Sequence, residues 1–396
     1  MVLALLAGCT GTATDVVATP GRAARDELRA NTVGPDTPEA RSSTDATSTT
    51  TTTSGPPTKL PSQPTAPAAD RRLAKLTTIT GELTPKSVIT DGNGRFFAQN
   101  MMYSHTVNVY DRSFQRIAQL SDRVDLTALG RPGSFQGGPV EAAVSADKKS
   151  VYVSNYQMYG NGFSNPGADS CSKGSWDPSY VYRIDQATLA IDQIIEVGPV
   201  PKYVATTPDG RYVLVTNWCG YDLSVIDTEA AREVQRIPLG RFPRGIVVTP
   251  DSRFAYVAVM GSTEVAKVDL STFAVTRIAG VGSGPRHLVI SPDGMTVYAT
   301  LNSAGQVVAI DTATDTVVRR VRVASQPRSM AISADGTALY VVNYSANEMT
   351  KLATADLSVR QTVPTGRHPI GITYDPGTGN VWVACYSGSL MVFEDR

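Results

Sequence analysis

The stretch "GPRHLVISPDGMTVYATLN", residues 284–302, decides the fold. It holds a Pro-basic pair, an apolar run, a Pro-Asp-Gly turn and a second apolar run. The same order returns along the chain. Pro201, Pro243, Pro285, Pro327 and Pro369 each open such a unit, and each follows the last by 42 residues. The units read "PKYVATTPDGRYVLVTN", "PRGIVVTPDSRFAYVAV", "PRHLVISPDGMTVYATL", "PRSMAISADGTALYVVN" and "PIGITYDPGTGNVWVAC". Two looser copies, "PKSVITDGNGRFFAQN" and "PVEAAVSADKKSVYVSN", begin at Pro85 and Pro139. Five copies at a fixed period of 42 residues, with two looser ones upstream, mark a seven-unit repeat architecture, which has to be read before any local motif.

One unit predicts four strands. In the copy from Pro285, "RHLVI" is apolar and rich in β-formers, and "SPDG" places Pro and Gly where a tight turn wants them. "MTVYATLN", "QVVAID" and "TVVRRVRV" follow as further strands, the last two joined by the turn "TATD". Four antiparallel strands in about 42 residues make one propeller blade. Ile246-Val247-Val248 and Leu288-Val289-Ile290 are apolar without alternation, as a strand covered on both faces is. "LAKLTTIT" (73–80) is a spare strand ahead of the first copy, and the seventh copy supplies only three. Strand 73–80 is therefore expected to complete blade seven and to cover an otherwise open edge.

"YVSN" (152–155), "LVTN" (214–217) and "YVVN" (340–343), each after a turn of the Pro-Asp-Gly type, resemble the YVTN-repeat seven-bladed β-propellers. The resemblance covers residues 73–396. It implies an all-β, seven-bladed propeller of four-stranded antiparallel blades. It leaves function open, because similar proteins include binding proteins, surface-layer proteins and relatives of lactonases, and a fold does not deliver chemistry.

Composition narrows the rest. Lys+Arg and Asp+Glu are equal at 36 each, which argues against a general nucleic-acid binder. The four cysteines lack zinc-ligand spacing, so no metal is expected. No CxxCH, Gly-rich phosphate loop or nucleophile motif occurs, so no cofactor is expected. No apolar run is long enough for a membrane-spanning helix. The opening "MVLALLAGC" (1–9) is similar to a bacterial lipobox, with Cys9 the lipidated residue, although no basic residue precedes the apolar run. Residues 10–72 are rich in Thr, Ser, Pro and Ala and read as a disordered spacer. Together these predict an exported, membrane-anchored bacterial lipoprotein held by its lipid alone, and a monomer.

Antiparallel pairing puts the Pro-basic dipeptides and the ends of the second strands on one face. On the opposite face, Asp209, Asp251, Asp293 and Asp335 in the first turns, and Asp185, Asp227, Asp269 and Asp311 at third-strand ends, sit where Asp caps its own backbone. The first face is richer. Lys86, Lys202, Arg244, Arg286 and Arg328 follow the repeat Pro in five blades, with Val140 and Ile370 in the others. Asn100, Asn155, Asn217 and Asn343 close second strands, and Tyr156, Trp218, Tyr344 and Tyr386 lie beside such ends. His105, His287 and His368 share this face. Blade two carries about 20 extra residues in its loop between strands two and three, and insertions on a repeat frame map to its binding face. That insert brings Cys171 toward Cys219 of blade three, a pair that an oxidising compartment permits to bond, and leaves Cys385 as a buried thiol.

Two functions follow as expectations. One is a binding or scaffold protein whose mouth takes an anionic small molecule or a protein partner. Lys202, Arg244, Arg286 and Arg328 would be its anchors, and Trp218 and Tyr344 its contact surface. The other is a lactonase- or cyclase-like hydrolase, for which Glu141, His287 and Arg286 are the set of the right types. Glu141 occupies in blade two the position that His287 occupies in blade five, so the pair would have to meet across the channel.

Overall fold

The computed structural model describes residues 66–172 and 174–396. Seven four-stranded antiparallel sheets follow one another around a ring. Their innermost strands are Pro85–Thr90, Pro139–Val144, Pro201–Thr206, Pro243–Val248, Pro285–Ile290, Pro327–Ile332 and Pro369–Tyr374. Each contacts its counterpart in the next blade, and the contact of Pro85–Thr90 with Pro369–Tyr374 closes the circle.

Leu73–Thr80 pairs with Ser389–Asp395 and becomes the outer strand of blade seven, so both ends of the domain share one sheet. The entry to that strand is fastened to blade six. Ala68 N donates to Asp335 Oδ2 at 2.8 Å, and Leu73 N donates to Gln361 Oε1 at 2.8 Å. Cys9 and residues 10–65 lie outside the described residues.

The core is a ring of apolar layers between blades. Tyr256 and Val265 of blade four pack with Leu288, Val297 and Val308 of blade five. Phe96 of blade one stacks on Trp382 of blade seven, their ring centres 3.9 Å apart. This is why inner strands are apolar on both faces: each face meets a neighbouring blade.

The carboxylates of the turn face are used by their own turns. Asp185 Oδ1 accepts the backbone N–H groups of Ala187 and Thr188, and Asp311 repeats this with Ala313 and Thr314. Asp293 Oδ1 takes Ser291 Oγ and the N–H of Met295. Two features were not read from the sequence. A hairpin, Arg123–Leu126 with Arg131–Gln136, is inserted between blades one and two. A β-bulge follows the repeat Pro in every inner strand, where the pairing register shifts.

Candidate functional site

The bulge decides where the basic residues go. In blades three to seven the residue before the repeat Pro also has a left-handed backbone: Val200, Phe242, Gly284, Gln326 and His368, with φ between 54° and 71°. Four of these five are not glycine, and Val200 is β-branched, so the rim holds strained backbone. Each carbonyl accepts the N–H of the residue just past its blade's second strand, for example Trp218 N to Val200 O at 2.9 Å. A bulge re-aims the side chain beside it. Here it turns the basic residue down between blades, so that Lys86, Lys202, Arg244, Arg286 and Arg328 are all 5% exposed or less.

Their neighbours are side chains of adjacent second-strand ends. Lys202 Nζ lies 4.3 Å from the ring centre of Tyr156, Arg244 lies 6.0 Å from Trp218, and Lys86 lies 5.5 Å from Tyr386. Arg286 Nη1 lies 3.8 Å from Met260 Sδ. In each pair the cation rests on the preceding blade, a cation–π or cation–sulfur contact that ties blades together. Arg328 differs, lying 3.9 Å over Tyr344 of its own blade, whose other neighbour is the stacked ring of His368. Lys202 also forms a buried ion pair with Asp169, supplied by the blade-two insert. Glu141 is the one carboxylate that the sequence places beside these cations on an inner strand; Asp169 comes from a loop. Trp218 and Tyr344, 3% and 8% exposed, are packing residues beneath the mouth more than open contact surface.

One position further on, two residues past each Pro, the innermost strands carry Ser87, Glu141, Tyr203, Gly245, His287, Ser329 and Gly371. Gly245 has no side chain there, and a Cβ would fall 2.8 Å from Arg286 O. The gap lets Tyr203 of blade three reach past blade four, and Tyr203 Oη and His287 Nε2 share a hydrogen bond of 3.2 Å. On its other side Tyr203 lies within the field of Glu141. Glu141, Tyr203 and His287 thus form an arc from blade two to blade five, with Arg244 beside all three. The three retain some exposed area yet have protein packed around them, as side chains lining a narrow channel do.

The charges of this arc are set by burial. Desolvation raises the Glu141 carboxyl to about 7, against the opposing pull of Arg244, Lys86 and Arg286. Desolvation lowers His287 to about 3, and the fields of Arg244 and Arg286 push the same way, so the imidazole is neutral. Tyr203 is raised by burial and by Glu141 and stays a phenol. His287 Nδ1 and Arg244 Nη1 are buried without a hydrogen-bond partner among the described residues. The other two histidines lie elsewhere: His368 stacks on Tyr344, and the carbonyl of His105 takes Gln136 Nε2 of the inserted hairpin. Tyr203 is the residue of this arc that the sequence reading did not single out. Its signal was present, because it stands at the same unrepeated position as Glu141 and His287.

Residues 174–365 match the model of the YNCE-like β-propeller family. No curated protein matches the chain. Among solved structures, hydrazine synthase of Kuenenia stuttgartiensis is similar at 21% identity with a TM-score of 0.47. The alignment covers 66% of this chain and 96% of that one.

The insert, residues 156–178, is clipped to blade three by a disulfide between Cys171 and Cys219, with Cα atoms 5.7 Å apart. Tyr221 Oη donates to Cys171 O, and Trp218 Nε1 donates to Asp169 O. Cys385 is a buried free thiol.

Proposed function

We propose that the chain is a binding propeller that takes an anion at the channel arc of Glu141, Tyr203 and His287, over Arg244 and Arg286. One observation carries this reading. Arg244, Arg286 and Lys86 act on a single carboxylate, and burial keeps that carboxylate protonated up to about pH 7. Below that pH Glu141 no longer answers the field of Arg244, Lys86 and Arg286 with a charge of its own, and a bound anion takes that place at the arc. Arg244 Nη1 and His287 Nδ1 offer polar atoms with no hydrogen-bond partner among the described residues. In this reading Lys202, Arg244, Arg286 and Arg328 act as the field beneath the ligand, with Trp218 and Tyr344 holding them in place.

Titration calorimetry of the full chain with acetate, citrate and phosphate tests the proposal. At least one should bind, more tightly as pH falls from 8 to 6, and more weakly as salt rises. Glu141→Gln should flatten the pH dependence. Binding that is independent of pH and salt, or absent for all three, rejects the reading.

The hydrolase alternative has one observation in its favour: Tyr203 links the neighbourhoods of Glu141 and His287, and Arg286 lies within the field of both. Turnover of a lactone panel that is lost in His287→Ala would establish it. We further propose an extracytoplasmic setting, which the Cys171–Cys219 bond supports. Anchoring through Cys9 predicts that Cys9→Ser moves the protein from the membrane fraction to the soluble one.

A further inference from the structure

The mouth has one break in its repeat. The residue following the second strand is Met101, Tyr156, Trp218, Met260, Tyr344 or Tyr386 in six blades and Asn302 in blade five. Its backbone keeps the repeat, since Asn302 N donates to Gly284 O at 2.8 Å, as Trp218 N does to Val200 O. Only the side chain departs. In four blades the apolar side chain at this place rests against the cation of the following blade. Behind Asn302 that cation would be Arg328, which lies over Tyr344 instead.

The departure coincides with a cavity of about 540 Å³ between blades five and six. Asn302 and Gln326, 2% and 8% exposed, are its buried lining. Ser303, Ser325, Ser345 and Arg322 are its exposed lining, and no carboxylate lines it. Both ends of the Asn302 amide, Nδ2 and Oδ1, lack a hydrogen-bond partner among the described residues. A buried amide with neither end satisfied is costly, and buried polar groups are nearly always paired. Packing does not require the residue, since an aromatic or Met serves at every equivalent position.

We infer that the cleft between blades five and six is a binding subsite for a neutral vicinal diol, as a hexose ring presents, with Asn302 as its bidentate partner. The donor and acceptor inventory selects this class. A carboxylate or phosphate has only acceptors and would face Asn302 Oδ1 with a like partial charge. An ammonium has only donors. A trans peptide unit points its N–H and C=O in opposite directions, so one unit cannot engage both ends of one amide. Adjacent hydroxyls do both: one donates to Oδ1 while its neighbour accepts from Nδ2. The serine hydroxyls around the opening suit the remaining hydroxyls, and the volume lies within the range of small-molecule pockets.

Saturation-transfer NMR on the full chain with the methyl pyranosides of glucose, mannose and galactose tests this inference, with acetate and acetamide as competitors. At least one glycoside should receive saturation. Asn302→Tyr, which restores the side chain type of the repeat and fills the cleft, should weaken binding at least tenfold without lowering the melting temperature. Asn302→Asp keeps the shape but removes the donors and should also weaken it at least tenfold; it decides the matter if the tyrosine variant does not fold. Saturation of none of the three glycosides, which a bound water in the cleft would produce, overturns the proposal. So does binding undiminished in Asn302→Asp, or full displacement by acetate or acetamide. The anion site is tested separately, since its ligands need neither Asn302 nor a diol.

Discussion

Glu141 and Lys202 show how the same ring of cations meets two different carboxylates. Glu141 lines the channel, and its raised pKa makes ionisation costly to the fold. A group that binds its proton more tightly when folded destabilises the fold progressively as pH rises from its ordinary 4.5 to about 7. His287 acts oppositely: held neutral down to about 3, it adds stability as pH rises from 3 toward its ordinary 6.5. The two slopes oppose each other between 4.5 and 6.5. Glu141→Gln removes only the first, so the variant should gain stability relative to the parent as pH rises from 4.5 to 7 and hold that gain above 7. Denaturant melts of both proteins at four pH values measure it; a difference that does not change with pH rejects the assignment. Lys202 instead pairs with Asp169, with side chains 2% and 8% exposed. Lys202→Met should cost about 3 kcal/mol, because it leaves a buried carboxylate without its cation, held by the Tyr156 hydroxyl. The double variant with Asp169→Asn should recover much of that loss in equilibrium unfolding.

At the scale of elements, the blade-two insert behaves as a strap across the face next to blade three. Its disulfide closes a span of 48 residues. The chain-entropy account assigns about 4 kcal/mol to a closed loop of this length. Cys219→Ser should therefore lower stability by up to that amount. It should also open the insert to proteolysis near residues 156–178, seen as early fragments by mass spectrometry, while the blades stay intact. A digestion pattern identical to the parent would show that the insert is held by other contacts, such as Trp218 Nε1 to Asp169 O. The spacing of the cysteines was legible because the repeat placed both in equivalent loops of adjacent blades. The carboxylate Asp169 was not, since nothing in a loop sequence indicates which neighbouring cation it will reach.

At the scale of the whole molecule, the ring depends on Leu73–Thr80, which joins the first strand of the domain to the last sheet. A chain beginning at residue 66 keeps the contacts of Ala68 with Asp335 and of Leu73 with Gln361. A chain beginning at residue 81 loses them and bares the edge of Ser389–Asp395. The shorter chain should melt lower and associate with rising concentration, because an open edge pairs with other chains. Scanning calorimetry and sedimentation at two concentrations compare the two. Equal melting would mean that Leu73–Thr80 contributes nothing to closure.

The sequence by itself determined the blade count, the closing strand, the face on which the insert lies and the cysteine pair. A repeat period states which positions are equivalent, and turn chemistry states where strands reverse. It also singled out Glu141 and His287 as unrepeated residues on a repeated frame. Only the tertiary structure decided what the equivalent positions do. The bulge after each Pro rotates the basic side chain from the channel into the seam between blades, and a bulge is a property of paired strands, not of one strand's pattern. The meeting of Tyr203 with His287 needs the missing side chain of Gly245, two blades brought within reach, and a channel narrow enough to desolvate them. Those are conditions of packing around a closed ring, and a linear period carries no record of distances across it.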